Sequence, residues 1–94
     1  MPRLEGEALQ SLAAQVPDWE VVQDRELKRR YEFADFVALM KYVSSLAELA
    51  ENEGHHPDFS VHYNKLDVTL WTHAIGGLSE NDFILAAKLE ELPR

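Results

Sequence analysis

Segment 36–53 most constrains the fold, because its pattern predicts a single long amphipathic helix with a defined start and end. Its apolar positions recur at the helical period, so one stripe must be buried against another element. Asp35 can cap the amino end, and Gly54 is suited to the carboxyl-terminal cap. The apolar positions are Phe36, Leu39, Met40, Val43, Leu46, Ala47 and Ala50.

Short segments with strand character lie on both sides of this helix. They are 19–22, 27–33, 59–63 and 66–73. Segment 27–33 alternates two sets of side chains, which predicts one buried face and one that meets solvent or a subunit partner. The first set is Leu27, Arg29, Tyr31 and Phe33, and the second is Lys28, Arg30 and Glu32.

The last two strand segments are predicted to form a hairpin around the two-residue connection Asn64-Lys65. This register keeps all the apolar side chains of the hairpin on one face. The predicted pairs are Tyr63 with Leu66, Val61 with Val68, and Phe59 with Leu70.

Two further helices complete the pattern. Segment 5–16 has helical spacing and stops before Pro17, and Ser79 with Asp82 resembles a capping box at the start of the last helix. The order α-β-β-α-β-β-α predicts an α+β fold, with a four-stranded antiparallel sheet and three helices on one face. At 94 residues, the whole chain 1–94 is interpreted as a single domain.

Composition excludes several classes of function. The net charge of -8 disfavours binding to nucleic acid or to an anionic membrane surface. The absence of cysteine removes disulfides and thiolate chemistry, and no apolar run is long enough to cross a membrane. We therefore expect a cytoplasmic protein, and its small size makes an oligomer plausible.

All four histidines lie within segment 55–73. The predicted hairpin register places His56 opposite His73, and Pro57 favours an extended backbone in which the rings of His55 and His56 diverge. Three imidazoles should therefore surround one pocket. Since imidazole gives and takes protons near neutral pH, this set suits a reaction limited by proton transfer, such as the elimination of water.

Other interpretations of these residues stay open. The cluster could arise by chance, or His55, His56 and His73 could bind a metal ion with Glu51 or Asp58. The HExxH pattern is absent, however, and adjacent histidines rarely bind one ion. Three further residues have interpretations of their own. Glu51 is a solvated carboxylate or orients His55, and His62 forms a cross-strand polar pair with Asp67. Trp71 stacks on a flat ligand or packs against a subunit.

The motif E-x3-H-H-P, a downstream T-H and a final Asp resembles the pterin-4a-carbinolamine dehydratases (4a-hydroxytetrahydrobiopterin dehydratases). The matching residues are Glu51, His55-His56-Pro57, Tyr63-Asn64-Lys65, Thr72-His73, Gly77-Leu78-Ser79 and Asp82. The combination is far more specific than any of its parts, and the likeness extends over nearly the whole chain.

The resemblance implies a four-stranded antiparallel sheet with three helices. It also implies dehydration of 4a-hydroxytetrahydrobiopterin to the quinonoid dihydropterin, in tetrahydrobiopterin recycling, without a metal or other cofactor. His56 would protonate the departing hydroxyl, and His55 and His73 would handle the ring-nitrogen proton. Substrate-binding positions would be Glu51, Pro57, Thr72 and Ala74, with Asp82 as a structural residue.

Two residues depart from the family pattern. Asn81 replaces an arginine found in some animal members, and Trp71 is bulkier than the residue expected before T-H. The resemblance also implies a homodimer or homotetramer. A non-catalytic dimerisation cofactor or an assembly chaperone of the same superfamily is the alternative function, although the complete histidine set favours the enzyme.

Overall fold

The computed structural model describes residues 3–94 and confirms the predicted α+β order. Helix α1 is Gly6–Ala13, strand β1 is Glu20–Val22, β2 is Glu26–Glu32, α2 is Phe36–Glu53, β3 is Asp58–His62, β4 is Lys65–Leu70 and α3 is Glu80–Glu91. A 3₁₀ turn, His73–Ile75, separates β4 from α3. Within the described chain, every helix is too short or too polar to cross a bilayer.

The four strands form one antiparallel sheet in the order β1-β2-β4-β3. At its centre, Leu27 pairs with Leu70 and Tyr31 with Leu66, and all four side chains are buried. They belong to one apolar cluster with residues of all three helices, so the helices cover this face as predicted. The buried positions that the helices contribute include Leu9, Leu39, Tyr42, Leu46, Phe83, Leu85 and Leu89.

Helix α2 begins and ends where the sequence predicts. Asp35 accepts a hydrogen bond from the Ala38 N–H at 2.8 Å, and Gly54 ends the helix in the left-handed conformation with φ 64°. The buried stripe is narrower than the apolar pattern suggests. Phe36 and Met40 are 46% and 40% exposed, whereas Tyr42 is buried.

The other predicted ends differ by a few residues. Helix α1 stops at Ala13 because the chain then tightens into a turn, in which the Val16 N–H bonds the Ala13 carbonyl. Strand β4 stops at Leu70 rather than at His73, because the residues that follow turn away to form the 3₁₀ segment.

The predicted register of the β3–β4 hairpin was wrong by two residues. Val61 pairs with Leu66 and Phe59 with Val68, so Tyr63 and Asn64 form the turn. Two hydrogen bonds with the backbone of Phe33 hold Asn64 there. The Phe33 N–H donates to the Asn64 carbonyl at 2.9 Å, and the Asn64 side-chain amide donates to the Phe33 carbonyl at 3.0 Å. A shift of two residues preserves the faces of the strands, so the apolar side stays on the helix-covered face.

Glu90 fastens α3 to the sheet. Its Oε1 accepts hydrogen bonds from Trp19 Nε1 at 2.9 Å, Arg29 Nε at 2.8 Å and Tyr31 Oη at 2.7 Å. The Arg29 guanidinium also lies 4.3 Å from the centre of the Tyr31 ring. Arg29 can therefore occupy the helix-covered face of β2, because its charge is paired.

Candidate active site

One recess of about 400 Å³ contains the three histidines that the sequence predicts as catalytic; we call it the histidine recess. It lies between the end of α2, the loop into β3 and the residues after β4. Its lining consists of Gly54, His55, His56, Pro57, Asp58, Trp71, Thr72 and His73. Since Gly54 turns the chain out of α2, the adjacent histidines begin where the helix ends.

The hairpin register predicts that His56 and His73 lie close together without forming a ladder pair, and both line this recess. His73 lies in the 3₁₀ turn rather than in a strand, because β4 ends at Leu70. That turn is closed by a bridge in which the Thr72 N–H donates to the Gly77 carbonyl at 2.8 Å. Ala74 lies within the turn, next to His73 but outside the recess lining.

His55 is fixed by a buried carboxylate. Asp82 Oδ1 lies 2.5 Å from His55 Nε2, and the Asp82 side chain is fully buried whereas that of His55 is 18% exposed. An ionised carboxylate only accepts hydrogen bonds, so this contact keeps a proton on Nε2. The nitrogen of His55 that remains for proton exchange is therefore Nδ1.

Asp82 also organises the residues behind the recess. Its Oδ2 accepts hydrogen bonds from Thr72 Oγ1 and the Ser79 N–H, both at 2.9 Å. The hydroxyls of Thr72 and Ser79 lie 2.7 Å apart. The predicted capping box at Ser79 is confirmed. Sequence reasoning missed the second contact of Asp82, with His55, because it depends on how α3 packs against the end of α2.

His56 contacts Glu51 on the outer side of the recess. Glu51 Oε1 lies 3.2 Å from His56 Nε2, and the two side chains are 76% and 64% exposed. Of the two readings of Glu51, the structure agrees with the solvated carboxylate, and His55 is contacted by Asp82 instead. Solvent screens the His56–Glu51 pair, so its contribution is weaker than that of a buried contact.

His73 is placed by an aromatic contact. The centres of the Trp71 and His73 rings lie 3.9 Å apart, with 37° between their planes. Trp71 Nε1 in turn donates to Asp58 Oδ2 at 3.3 Å. The structure thus shows an intramolecular ring contact of Trp71, whereas the sequence suggested stacking on a flat ligand or packing against a subunit.

The fourth histidine, His62, lies apart from the recess. Its Nε2 is 3.2 Å from Ser60 Oγ and 3.7 Å from Asp67 Oδ2, consistent with the polar pairing expected for His62 and Asp67. Both oxygens approach the same ring nitrogen. A Ser–His–Asp triad needs them on different nitrogens, so this group does not have the geometry of a serine nucleophile.

Two other concave surfaces of the described residues lack the chemistry of the histidine recess. A groove between α1 and α3 contains Val16, Phe83 and Ile84, and a recess of about 680 Å³ on the open sheet face contains Lys28 and Arg30. Neither lining contains a histidine. Within residues 3–94, no three histidine, aspartate or glutamate side chains form a group able to hold a metal ion.

Comparison with known proteins identifies the family. The sequence model of the family described as pterin 4 alpha carbinolamine dehydratase matches residues 2–92. A protein of Rubrobacter xylanophilus, provisionally named pterin-4-alpha-carbinolamine dehydratase, is 42% identical over 98% of this chain and 86% of its own length. A Chromobacterium violaceum protein with the same provisional name is 49% identical over 92% of this chain and 79% of its own.

Solved structures agree with the observed fold. A protein of Brucella melitensis, described as a transcriptional coactivator/pterin dehydratase, superimposes with a TM-score of 0.88 at 31% identity, covering 95% of this chain and 96% of its own. A pterin dehydratase-like protein described as a RuBisCO assembly factor of the alpha-carboxysome shares the fold, with a TM-score of 0.67 at 23% identity over 78% of this chain and 86% of its own. From the match over residues 2–92 and these relatives, the chain belongs to the pterin 4 alpha carbinolamine dehydratase family.

Proposed function

We propose that this chain is a hydro-lyase that dehydrates a 4a-hydroxytetrahydropterin to the quinonoid dihydropterin by metal-free histidine acid/base catalysis. The observation that supports this most directly is the position of His55, His56 and His73 on one recess of about 400 Å³. That volume falls within the roughly 300–1,000 Å³ typical of small-molecule sites. Family membership supports a pterin as the substrate class.

The reaction needs two proton transfers and no change of redox state. The bond between C4a and the hydroxyl oxygen breaks, N5 loses its proton, and a C4a=N5 double bond forms as one water leaves. The protein must therefore supply a proton to the departing oxygen and accept one from N5. Positioned imidazoles perform both steps near neutral pH.

We assign the acid role to His56 and the handling of the N5 proton to His55 and His73. His55 and His56 each have Nε2 against a carboxylate, of Asp82 and Glu51 respectively. Each would exchange protons at Nδ1, since a carboxylate accepts but does not donate. This shared arrangement supports proton transfer at two separate points of one bound ring.

The remaining predicted residues have supporting roles in this proposal. Pro57 and Thr72 line the recess and would contact the flat faces and edge of the pterin. The backbone of Thr72 would meet the polar edge of the ring, and that of Ala74 would do so where the pterin extends beyond the recess lining, past His73. Glu51 would act through His56, and Asp82 through His55, so neither needs to touch the substrate.

We further propose that the protein works in the cytoplasm as a homodimer or homotetramer in tetrahydrobiopterin recycling. A chain without cysteine needs no oxidising compartment. Strand β3 lies at an edge of the sheet, and exposed edges favour pairing with another chain. Phe59 on that strand is 44% exposed, and α2 exposes Phe36, Val37 and Met40. Sedimentation velocity tests this proposal, which predicts no monomer at micromolar concentration.

An assembly or dimerisation role is the second candidate. It is favoured by the exposed apolar face of α2 and by the shared fold of the carboxysome assembly factor. The histidine recess favours the enzyme, since an assembly surface does not require three imidazoles around one cavity. A protein that binds a partner but does not dehydrate the carbinolamine would support this second candidate.

A stopped-flow assay of 4a-hydroxytetrahydrobiopterin dehydration tests the enzyme directly. We expect His55→Ala, His56→Ala and His73→Ala each to lower kcat, by roughly 10²- to 10⁴-fold for a lost acid or base. His62→Ala is the matched control, because this fourth histidine lies outside the recess. Wild-type protein no faster than buffer would reject the enzyme, as would equal effects of all four substitutions.

A further inference from the structure

His73 differs from the other two histidines of the recess in how it is held. His55 and His56 each meet a carboxylate, but within residues 3–94 no hydrogen bond reaches the His73 ring. Its side chain is exposed, at the start of a 3₁₀ turn only three residues long. An exposed side chain without a partner samples several rotamers, so something else must fix this imidazole for catalysis.

Trp71 supplies the contact that His73 otherwise lacks. The two rings are 3.9 Å apart between centres and tilted by 37°, so the imidazole lies against the indole face. Thr72 between them has an extended backbone, which places both side chains on the same side of the chain. The backbone there is fixed in turn, because Thr72 bridges to Gly77.

Trp71 is itself anchored to the strand next to β4. Its Nε1 donates to Asp58 Oδ2 at 3.3 Å, and Asp58 is the first residue of β3. The indole therefore connects the turn after β4 with the strand that follows the two adjacent histidines. A phenyl ring could keep the stacking contact but would lose this hydrogen bond, whereas an aliphatic side chain would lose both.

We propose that Trp71 is a positioning residue that holds the His73 imidazole in the histidine recess, an inference that rests on the proposed dehydratase function. Stacking on the indole restricts the His73 imidazole to one orientation. The imidazole is therefore already in place when a pterin binds and exchanges a proton with it. The role differs from a stacking platform for the substrate, because His73 already covers one face of the indole.

Proton NMR tests the contact without any assay of activity. An imidazole above an indole face is shifted upfield by the ring current, so the His73 ring protons should resonate upfield of the other histidines. His73→Asn identifies these signals. Trp71→Leu should move them to ordinary positions, and Trp71→Phe should retain part of the shift. Ordinary His73 positions in the wild-type protein would overturn the proposal.

Steady-state kinetics test the positioning role of Trp71. Since misplacement of a catalytic group is costly, we expect Trp71→Leu to lower kcat by about tenfold and to change KM less than about twofold. Trp71→Phe should recover most of the loss. In a His73→Ala background, Trp71→Leu should have no further effect, because Trp71 acts through His73. Tyr63→Leu, which removes an exposed aromatic ring at the hairpin turn, is the control.

The outcomes separate this inference from the proposed function. A raised KM with unchanged kcat, or an equal loss in the His73→Ala background, would show that Trp71 contacts the substrate and would overturn positioning. Wild-type protein without dehydratase activity would reject the proposed function, while the NMR measurement would still decide whether Trp71 holds His73.

Discussion

Asp82 Oδ1 lies 2.5 Å from Nε2 of His55, and this contact joins the first turn of α3 to the loop after α2. The other carboxylate oxygen is held by Thr72 and Ser79, so the side chain cannot turn away. The same carboxylate thus caps a helix and orients an imidazole. Of the three histidines in the recess, His55 is the one fixed by a buried partner.

Asp82→Asn should separate these two tasks. Asparagine keeps the shape and can still accept from the Ser79 N–H, but it brings no charge to His55 and can present its amide hydrogens to Nε2. We expect kcat to fall on the order of 10²-fold, while the urea midpoint changes little. Glu80→Gln is the control, because it removes an exposed carboxylate from the same helix turn. Full activity in Asp82→Asn would show that the contact is structural alone.

Glu51→Gln should have a smaller effect than Asp82→Asn. The Glu51 and His56 side chains are both exposed, so water and salt screen their 3.2 Å contact. We expect kcat/KM to fall less than about tenfold at low salt, because an exposed ion pair contributes little. The difference from wild type should shrink as sodium chloride is raised. A loss as large as that of His56→Ala, independent of salt, would instead indicate that Glu51 exchanges protons itself.

Glu90→Gln tests the polar group that fastens α3 to the sheet. Glu90 Oε1 accepts from Trp19, Arg29 and Tyr31, and hydrogen bonds in which one partner is charged each contribute about 1.5–3 kcal/mol. We expect the free energy of unfolding at pH 7 to fall by about 1–3 kcal/mol in urea titrations. Glu91→Gln, at an exposed neighbouring position, should change it by less than about 0.5 kcal/mol.

The same group predicts how stability depends on pH. Burial by itself would raise the pKa of Glu90, but the hydrogen bonds from Arg29 and Tyr31 outweigh it and hold that pKa below its usual range. A carboxyl with a lowered folded-state pKa stabilises fully above its unfolded pKa and loses this contribution as pH falls through the folded value. The stability difference between wild type and Glu90→Gln should therefore shrink in acid. A constant difference from pH 7 to pH 3 would contradict the pairing.

Much of the fold follows from local signals in the sequence. Helix α2 has a capping aspartate, a periodic apolar stripe and a terminal glycine, and all three agree on its bounds. Strand order could not be derived in this way, because β2 pairs with β4 through contacts distant in the chain. The ends of β4 and α1 were also misjudged, since bridges and turns closed by backbone hydrogen bonds decide them.

In the candidate site, too, local signals predict some features, whereas contacts between distant segments decide the others. The sequence brings His55 and His56 to the end of α2 because Gly54 is a strong terminating signal. The partners of the imidazoles are tertiary: Asp82 reaches His55 from another helix, 27 residues along the chain. The contact between the Trp71 and His73 rings likewise depends on the tertiary arrangement, because the 3₁₀ turn after β4 sets the position of His73.

The hairpin turn yields a last prediction, which also explains the misjudged register. Tyr63 has φ 57°, a conformation that costs a non-glycine residue about 1–2 kcal/mol, and its side chain is 67% exposed. Sequence preferences therefore disfavour a turn at Tyr63, yet the two hydrogen bonds between Asn64 and Phe33 hold it there. Tyr63→Gly should raise the free energy of unfolding by about 0.5–1 kcal/mol, as measured in urea, because it removes the strain and few contacts. Tyr63→Ala, which keeps a Cβ, should give no such gain. Equal stability of the glycine and alanine variants would contradict a strained left-handed turn residue.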